Sequence, residues 1–515
     1  MRARPTLNRI STRGWLGIAL VATLAFRFWL SAVLPLTGDE AYFVLWGRHP
    51  ALGFYDHPPM VGWLLALILH WSDAEWALRL PVTLLPPALA LVLRAALRNW
   101  FGRDEDSANL AALCVLLVPL NFVNVLITTD TPLIFFSAVS VLLFARAAQR
   151  GSAGVFLASG VFLGLAFLSK YFAVLLGLGY FAWALASKGV KRRWSGPLLV
   201  FLGALPFALE NLYWNYEACW CNLMFNAVNR QSDAAWSIVT PSLYLLSLAY
   251  LGGPLLFWAW KERTQMRASA ASPEARALLL AWTVPFAVFA LVSLRKEIGL
   301  HWMLSFMPAL IASVALLPGR RPLASSARFL AWFVALHAAA ILVIANLPME
   351  TWKGWAGKYE KIVAWFDTRG VLNQIKPYYG RYHLAASSYA AAATYEYYAG
   401  RRVIVFGPGS SHARHDDILT DFRKLDGQNI LVLRPSPPPK GQYRPYFRSM
   451  KVRAFEVRGV TFYAVLGQRF DYRAYHDGVL TFVRDHYYRR PWWLPPGKCY
   501  FCERYFGSND CGGRH

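Results

Sequence analysis

The sequence predicts an α-helical polytopic membrane protein with a C-terminal α/β soluble domain, and three observations predict it. Of the 515 residues, 56% are hydrophobic and only 16% are charged, where a soluble domain carries about 25% charged residues. Apolar runs recur from residue 14 to residue 347, and each is long enough to cross about 30 Å of hydrocarbon as a helix. Near residue 348 the composition changes: Tyr, Arg, His and Asp rise, the Pro-rich PSPPP (435–439) appears, and no further spanning run follows. The chain therefore divides into a membrane domain, residues 1–347, and a soluble domain, residues 348–515, of ordinary domain size.

The expected spans are 14–35, 77–98, 108–127, 131–148, 153–169, 171–187, 196–214, 241–260, 277–294, 299–317 and 327–347, eleven in all. The basic N-terminal stretch MRARPTLNRISTR resembles a signal n-region, but the apolar run after it is too long for an h-region, so it reads as a retained first helix. With the N-terminus in the cytoplasm, the cytoplasmic loops collect Arg2, Arg4, Arg9 and Arg13; Arg98 and Arg103; Arg146 and Arg150; Lys188, Lys191, Arg192 and Arg193; Lys261, Arg263 and Arg267; and Arg320, Arg321 and Arg328. That bias sets the orientation and places residues 348–515 outside the cytoplasm, in the periplasm of a Gram-negative host. It also accounts for much of the net charge of +24 without a nucleic-acid partner. The bilayer is the partner that the charge and hydropathy specify.

A few basic residues break the pattern. His57, Lys170, Arg230, Arg295, Lys296 and His301 fall on the outer side at or near span ends. A cation so close to hydrocarbon pairs with something or snorkels to headgroups.

The first outer loop, residues 36–76, is the most distinctive stretch: TGDEAYFVLWGRHPALGFYDHPPMVGW runs from Thr37 to Trp63. The acidic pair Asp39-Glu40 follows the first span directly. The aromatic, half-polar AYFVLWGRH suits a helix lying in the interface. YDHPP (Tyr55 to Pro59) imposes a turn, because each Pro restricts the residue before it. MVGWLLALILHW is apolar but short for a span. Together these segments hold a carboxylate at the level of lipid headgroups.

Asp39-Glu40, YDHPP and EWALRLP (Glu75 to Pro81) resemble the bacterial GT-C membrane transferases similar to dolichyl-phosphate-mannose protein mannosyltransferases, a group that includes the aminoarabinose and galacturonic acid transferases of lipid A. The resemblance continues through TTDTP (Thr128 to Pro132), Ser169-Lys170-Tyr171, Trp214-Asn215, Phe225-Asn226 up to Arg230, and His301-Trp302, so it covers roughly residues 10–347. It implies an inverting glycosyltransferase of the inner membrane, with a polyprenyl-phosphate-linked sugar as donor and a lipid, glycan or protein acceptor. It implies Asp39 as the catalytic carboxylate, with Glu40 beside it. Accepting and aligning the acceptor proton is carboxylate chemistry, and the leaving phosphate needs positive charge. His57 stands where relatives carry Lys or His before Pro-Pro, and Lys170, Arg230, Arg295 and Lys296 are further phosphate candidates. Tyr55, Asp56, Asp130 and His301 complete the candidate set. An imidazole is a cation only when protonated, so phosphate binding at His57 depends on pH or on a divalent metal. No other cofactor is specified.

Asp130 has two readings: a cap for a helix led by Pro132, or an outward acidic partner for a metal or acceptor. Glu210 falls within a span and should face the bundle interior. Cys114 lies in an apolar span as a small hydrophobe. Cys499, Cys502, Cys511 and His515 have the spacing C-x2-C-x8-C-x3-H, which suits zinc or a disulfide between two of the three cysteines, and an oxidising compartment favours the disulfide. In the tail, GRRVIVFGPGSS (Gly400 to Ser411) and QNILVLR (Gln428 to Arg434) read as buried strands. A transporter and a non-catalytic scaffold are the rival functions. No half-to-half repeat supports the first, and the second leaves the first outer loop unexplained.

Overall fold

The computed structural model describes residues 11–229, 236–355, 357–508 and 511–514. The chain forms two compact units. One comprises Met1–Val33, Trp76–Leu209 and Ala234–Ala345; the other comprises Leu34–Glu75, Glu210–Asp233 and Asn346–His515. The composition break near residue 348 thus marks only the last segment of the second unit. The first outer loop and a stretch after residue 209 fold with that segment.

The first unit is helical. Among the described residues seven helices are long and apolar enough to cross a membrane: Thr12–Val33, Glu75–Asn99, Asp130–Arg150, Ser195–Glu217, Val239–Lys261, Pro273–Ser293 and Arg321–Asn346. These match seven expected spans. Three others are the shorter apolar helices Ala153–Phe167, Tyr171–Ala186 and Leu300–Ala315. The span expected over 108–127 is broken. Glu105–Leu117 ends at Val118, whose ψ of 127° is extended, and Pro119–Val123 starts anew. A residue before proline is pushed out of the helical region, so Pro119 sets the break.

Local signals explain the boundaries. Asp104 caps the Glu105 helix by accepting from Ser107 N–H at 3.1 Å, and Ser272 caps the Pro273 helix at Ala275. Gly151, with φ 64°, closes Asp130–Arg150 in the left-handed conformation that glycine tolerates. Large apolar side chains point outward from the long helices, among them Val21, Leu91, Phe201, Leu246, Trp332 and Val343. Water would penalise such faces; lipid accepts them. Where Ala153–Phe167 crosses Ser195–Glu217, a methyl on Gly160 would overlap the Val200 carbonyl and one on Gly203 the Leu157 carbonyl. Small residues permit this close approach. Buried Arg27 donates to the carbonyls of Asn121 (2.5 Å) and Val82 (2.6 Å), and Arg79 donates to Ser31 O (2.9 Å), so both cations pin helices by satisfying backbone acceptors.

The second unit is built on a five-stranded sheet. The strands are β1 (His383–Ala386), β2 (Val403–Val405), β3 (Ile430–Arg434), β4 (Phe447–Val457) and β5 (Val460–Phe470), in the order β2-β1-β3-β5-β4. β1 pairs in parallel with β2 and β3; β3, β5 and β4 pair antiparallel. The helix Tyr389–Ala399 makes the crossover from β1 to β2. Both faces are covered: Leu431 and Leu433 join Val363, Val371 and Tyr395 on one side, and Ile430 and Val432 join Phe406, Tyr475 and Val479 on the other. Hence β3 is apolar throughout. The expected strands in 400–411 and 428–434 are β2 and β3.

Two disulfides, Cys219–Cys499 and Cys502–Cys511, staple the end of the chain, while Cys114 and Cys221 are free and buried. The three sulfurs of the zinc-like spacing are gathered, but each belongs to a disulfide and offers no thiolate ligand. The fourth expected ligand, His515, lies outside the described residues.

Candidate active site

In the second unit the first outer loop folds as two helices around a turn. Gly38–Arg48 begins with a capping box: Thr37 Oγ1 accepts from Glu40 N–H at 3.3 Å, and the Glu40 carboxylate accepts from Thr37 N–H at 2.9 Å. Glu40 is fully buried in this role. Of the acidic pair expected to do chemistry, Glu40 therefore holds the helix start. Asp39 is exposed and takes no part in the cap. Its Oδ1 accepts a 2.8 Å hydrogen bond from the phenol of Tyr389.

The YDHPP turn is closed by Phe54 N–H donating to His57 O at 3.0 Å. Two asparagines after residue 209 brace it: Asn222 donates to Phe54 O (2.9 Å) and Asn226 to Asp56 O (3.4 Å). Phe54 stacks on Trp46 with centroids 4.4 Å apart, and His57 meets the rings of Trp46 and Phe43 at 6.0 and 6.4 Å. Asp56 accepts from Tyr42 Oη at 3.3 Å, and that same oxygen accepts from the His415 N–H at 3.2 Å. Burial first, then the Asp56 charge, pushes the Tyr42 phenol well above its ordinary pKa, so it remains a donor. Tyr55 is wholly buried against Phe225 and Tyr488. Its side chain fills the interior.

The first unit gathers a separate charged cluster. Asp130 opens its helix, but the cap position is Thr129 and makes no side-chain cap bond. Asp130 instead receives Lys170 Nζ on both oxygens, at 2.9 Å each, with His301 Nε2 at 3.6 Å. The Asp130 side chain therefore pairs with Lys170 and does not cap the helix. Lys170, expected at a phosphate, holds a carboxylate here. Asp130 and His301 border a cavity of about 280 Å³ whose wall combines Asn121, Asn124 and Thr128 with Leu89, Ile134 and Phe135. Arg295 is exposed and stacks over Trp236 at 4.7 Å. Lys296 lies beside it in sequence, at the end of the Pro273–Ser293 helix. Arg230 lies outside the described residues. Both carboxylate oxygens of Glu210 are buried without a hydrogen-bond partner among the described residues.

The structure thus groups Asp39, Asp56 and His57 in one unit and Asp130, Lys170 and His301 in the other. Comparison with known proteins shows what the chain resembles. Residues 56–214 match the sequence profile of the family described as dolichyl-phosphate-mannose-protein mannosyltransferase. That stretch resembles the GT-C glycosyltransferases. The match to this GT-C family contains Asp56, His57, Asp130 and Lys170, and begins after Asp39. A lipid A galacturonosyltransferase, RgtD of Rhizobium johnstonii, is 29% identical over 205 residues; that stretch is 38% of this chain and 43% of the relative. The likeness in fold extends further. ArnT from Cupriavidus metallidurans bound to undecaprenyl phosphate superimposes with a TM-score of 0.62 at 18% identity, covering 88% of this chain and 98% of that one. The apo form gives 0.61 with the same coverage.

Sequence reasoning missed Tyr389, Tyr42 and Asn222. Tyr42 stands inside a stretch already singled out, and Asn222 lies just before the Phe225-Asn226 stretch. Tyr389 opens the Tyr-rich YAAAATYEYYA, in which Tyr389 and Tyr397 are eight residues apart and share a helix face; that stripe was the available signal.

Proposed function

We propose that this chain is an inverting glycosyltransferase that moves a sugar from a polyprenyl-phosphate carrier to an envelope acceptor on the outer face of the inner membrane. One observation carries the reading: Asp39 is an exposed carboxylate on the first turn of a helix whose cap is made by other residues, and it is aimed by a hydrogen bond. The RgtD and ArnT likenesses support the reaction class, with lipid A, another glycan or a protein as the acceptor.

In this reaction the acceptor hydroxyl oxygen bonds to the anomeric carbon. The bond from that carbon to the phosphate oxygen breaks, and its electron pair leaves with the polyprenyl phosphate. The acceptor proton passes to Asp39. His57, packed against the rings of Phe43 and Trp46 on the same loop, supplies positive charge to the departing phosphate when protonated, or would hold a divalent metal that supplies it. The basic bias of the loops supports an extracytoplasmic location for this chemistry.

The test is incubation of the purified full chain with radiolabelled undecaprenyl-phosphate sugars carrying galacturonic acid, aminoarabinose or a hexose, with and without lipid A. Release of undecaprenyl phosphate with label on an acceptor supports the proposal. Inertness toward the whole panel, from protein that binds the donors, argues against it.

A further inference from the structure

We infer that Tyr389, from the C-terminal segment, is a positioning residue for the transfer: it holds Asp39 in the orientation that offers Oδ2 to the acceptor hydroxyl. This rests on the reading of Asp39 as the base. Tyr389 Oη occupies Oδ1 at 2.8 Å, and Oδ2 has no protein partner among the described residues. An exposed aspartate on a helix turn otherwise samples several rotamers, and only a fraction of them aim an oxygen at a given acceptor.

The tyrosine is itself fixed. Its ring packs edge-on against Tyr42 at 5.3 Å. The next residue, Ala390, lies so close to Gly38 that a Cβ there would come within 2.5 Å of the Ala390 Cβ. Glycine at residue 38 is what lets the two helix starts meet. The far end of the same helix grips the far end of the same loop. Tyr397 donates to Asp73 O at 2.7 Å, and Tyr398 donates to Glu75 at 3.1 Å while accepting from Leu36 N–H at 3.1 Å. Trp365 Nε1 donates to Leu36 O at 3.0 Å. The loop carrying Asp39 is thus held at both ends by residues more than three hundred positions downstream. Burial, with the Asp39 charge adding, raises the Tyr389 pKa, which keeps the phenol protonated as a donor. No proton leaves Tyr389 during transfer. It orients one oxygen while the other takes the acceptor proton.

The experiment compares the wild type, Tyr389→Phe, Asp39→Asn and the double variant as purified full chains. It measures transfer from radiolabelled undecaprenyl-phosphate galacturonate, or whichever sugar of the panel is used, together with the melting temperature. Tyr389→Phe removes one oxygen and keeps the ring against Tyr42. Its kcat should fall by about ten- to a hundred-fold, the range of a hydrogen bond to a charged group, with donor KM and melting temperature unchanged. In the Asp39→Asn background the same change should have no further effect. Normal kcat in Tyr389→Phe beside an impaired Asp39→Asn overturns this inference alone, as does an equal loss in both backgrounds. Normal transfer by Asp39→Asn removes the base assignment and this inference with it.

Discussion

Replacing Lys170 with Met strands a carboxylate. Asp130 is 6% exposed, and its two oxygens share Lys170 Nζ at 2.9 Å each; the Lys170 side chain is 13% exposed. An exposed ion pair contributes up to about 1 kcal/mol, whereas removing one partner of a buried pair costs about 3–5 kcal/mol. The burial of both groups places this pair near the upper figure. His301 at 3.6 Å, half exposed, offsets part of the loss when protonated. The penalty should therefore be about 3 kcal/mol at pH 8, where an ordinary imidazole is neutral. With an unfolding entropy that grows with chain length, about 1.1 kcal/mol/K for 515 residues, it lowers the melting temperature by about 3 °C. Asp130→Asn with Lys170→Met leaves no lone charge and should recover at least half the loss, a coupling of roughly 2 kcal/mol in the double-mutant cycle. The assay is thermal unfolding of the four proteins in one detergent. Lys170→Met melting within 1 °C of wild type, or strictly additive losses, would refute the pairing argument.

Four further outcomes follow from other parts of the chain. Burial pushes the His415 imidazole down to about 3 from 6.5, so between those pH values the unfolded chain binds a proton that the folded one does not. Stability should thus fall as pH drops below 6.5, by about 1.4 kcal/mol per unit. Unfolding at pH 5 and pH 7 should show His415→Gln losing roughly 2 kcal/mol less than wild type, and parallel losses would count against it. Breaking Cys219–Cys499, whose partners are 280 residues apart, by Ala at both positions should cost about 2–4 kcal/mol with transfer per folded molecule retained. A chelator should leave the wild-type melting temperature alone; a fall would instead indicate a metal. A reporter active only in the cytoplasm, fused after residue 350, should be silent, and strong activity would reverse the orientation.

The membrane helices were legible because bilayer thickness fixes a length that few other structures demand. The exception, 108–127, shows what a hydropathy count overlooks: Pro119 breaks the helix without lowering apolarity. In the tail, β2 and β3 were readable because the sheet buries both of their faces. β4, FRSMKVRAFEV, is largely exposed and carries no such run. Its hairpin turn did leave a trace, since Arg458 and Gly459 both have positive φ, and a glycine is the usual sign of such turns. Asp39, Asp56 and His57 were legible because one short loop holds them. Their partners were not, because Tyr389 lies 350 residues from Asp39, Lys170 lies 40 from Asp130, and Cys499 lies 280 from Cys219. Sequence spacing reports helix faces and turns; pairings across the fold are set by packing. The acidic pair illustrates this limit. Adjacent residues on one helix turn point about 100° apart, and only the Thr37 box reveals which of the two caps the helix.

The measurement that tests the central claim most directly is release of undecaprenyl phosphate from a labelled undecaprenyl-phosphate sugar by wild type and by Asp39→Asn. The Thr37–Glu40 box caps the helix without Asp39, so the variant should fold and bind donor normally. If Asp39 takes the acceptor proton, its transfer rate should fall by roughly two to four orders of magnitude. Near-normal transfer by well-folded Asp39→Asn would contradict the account.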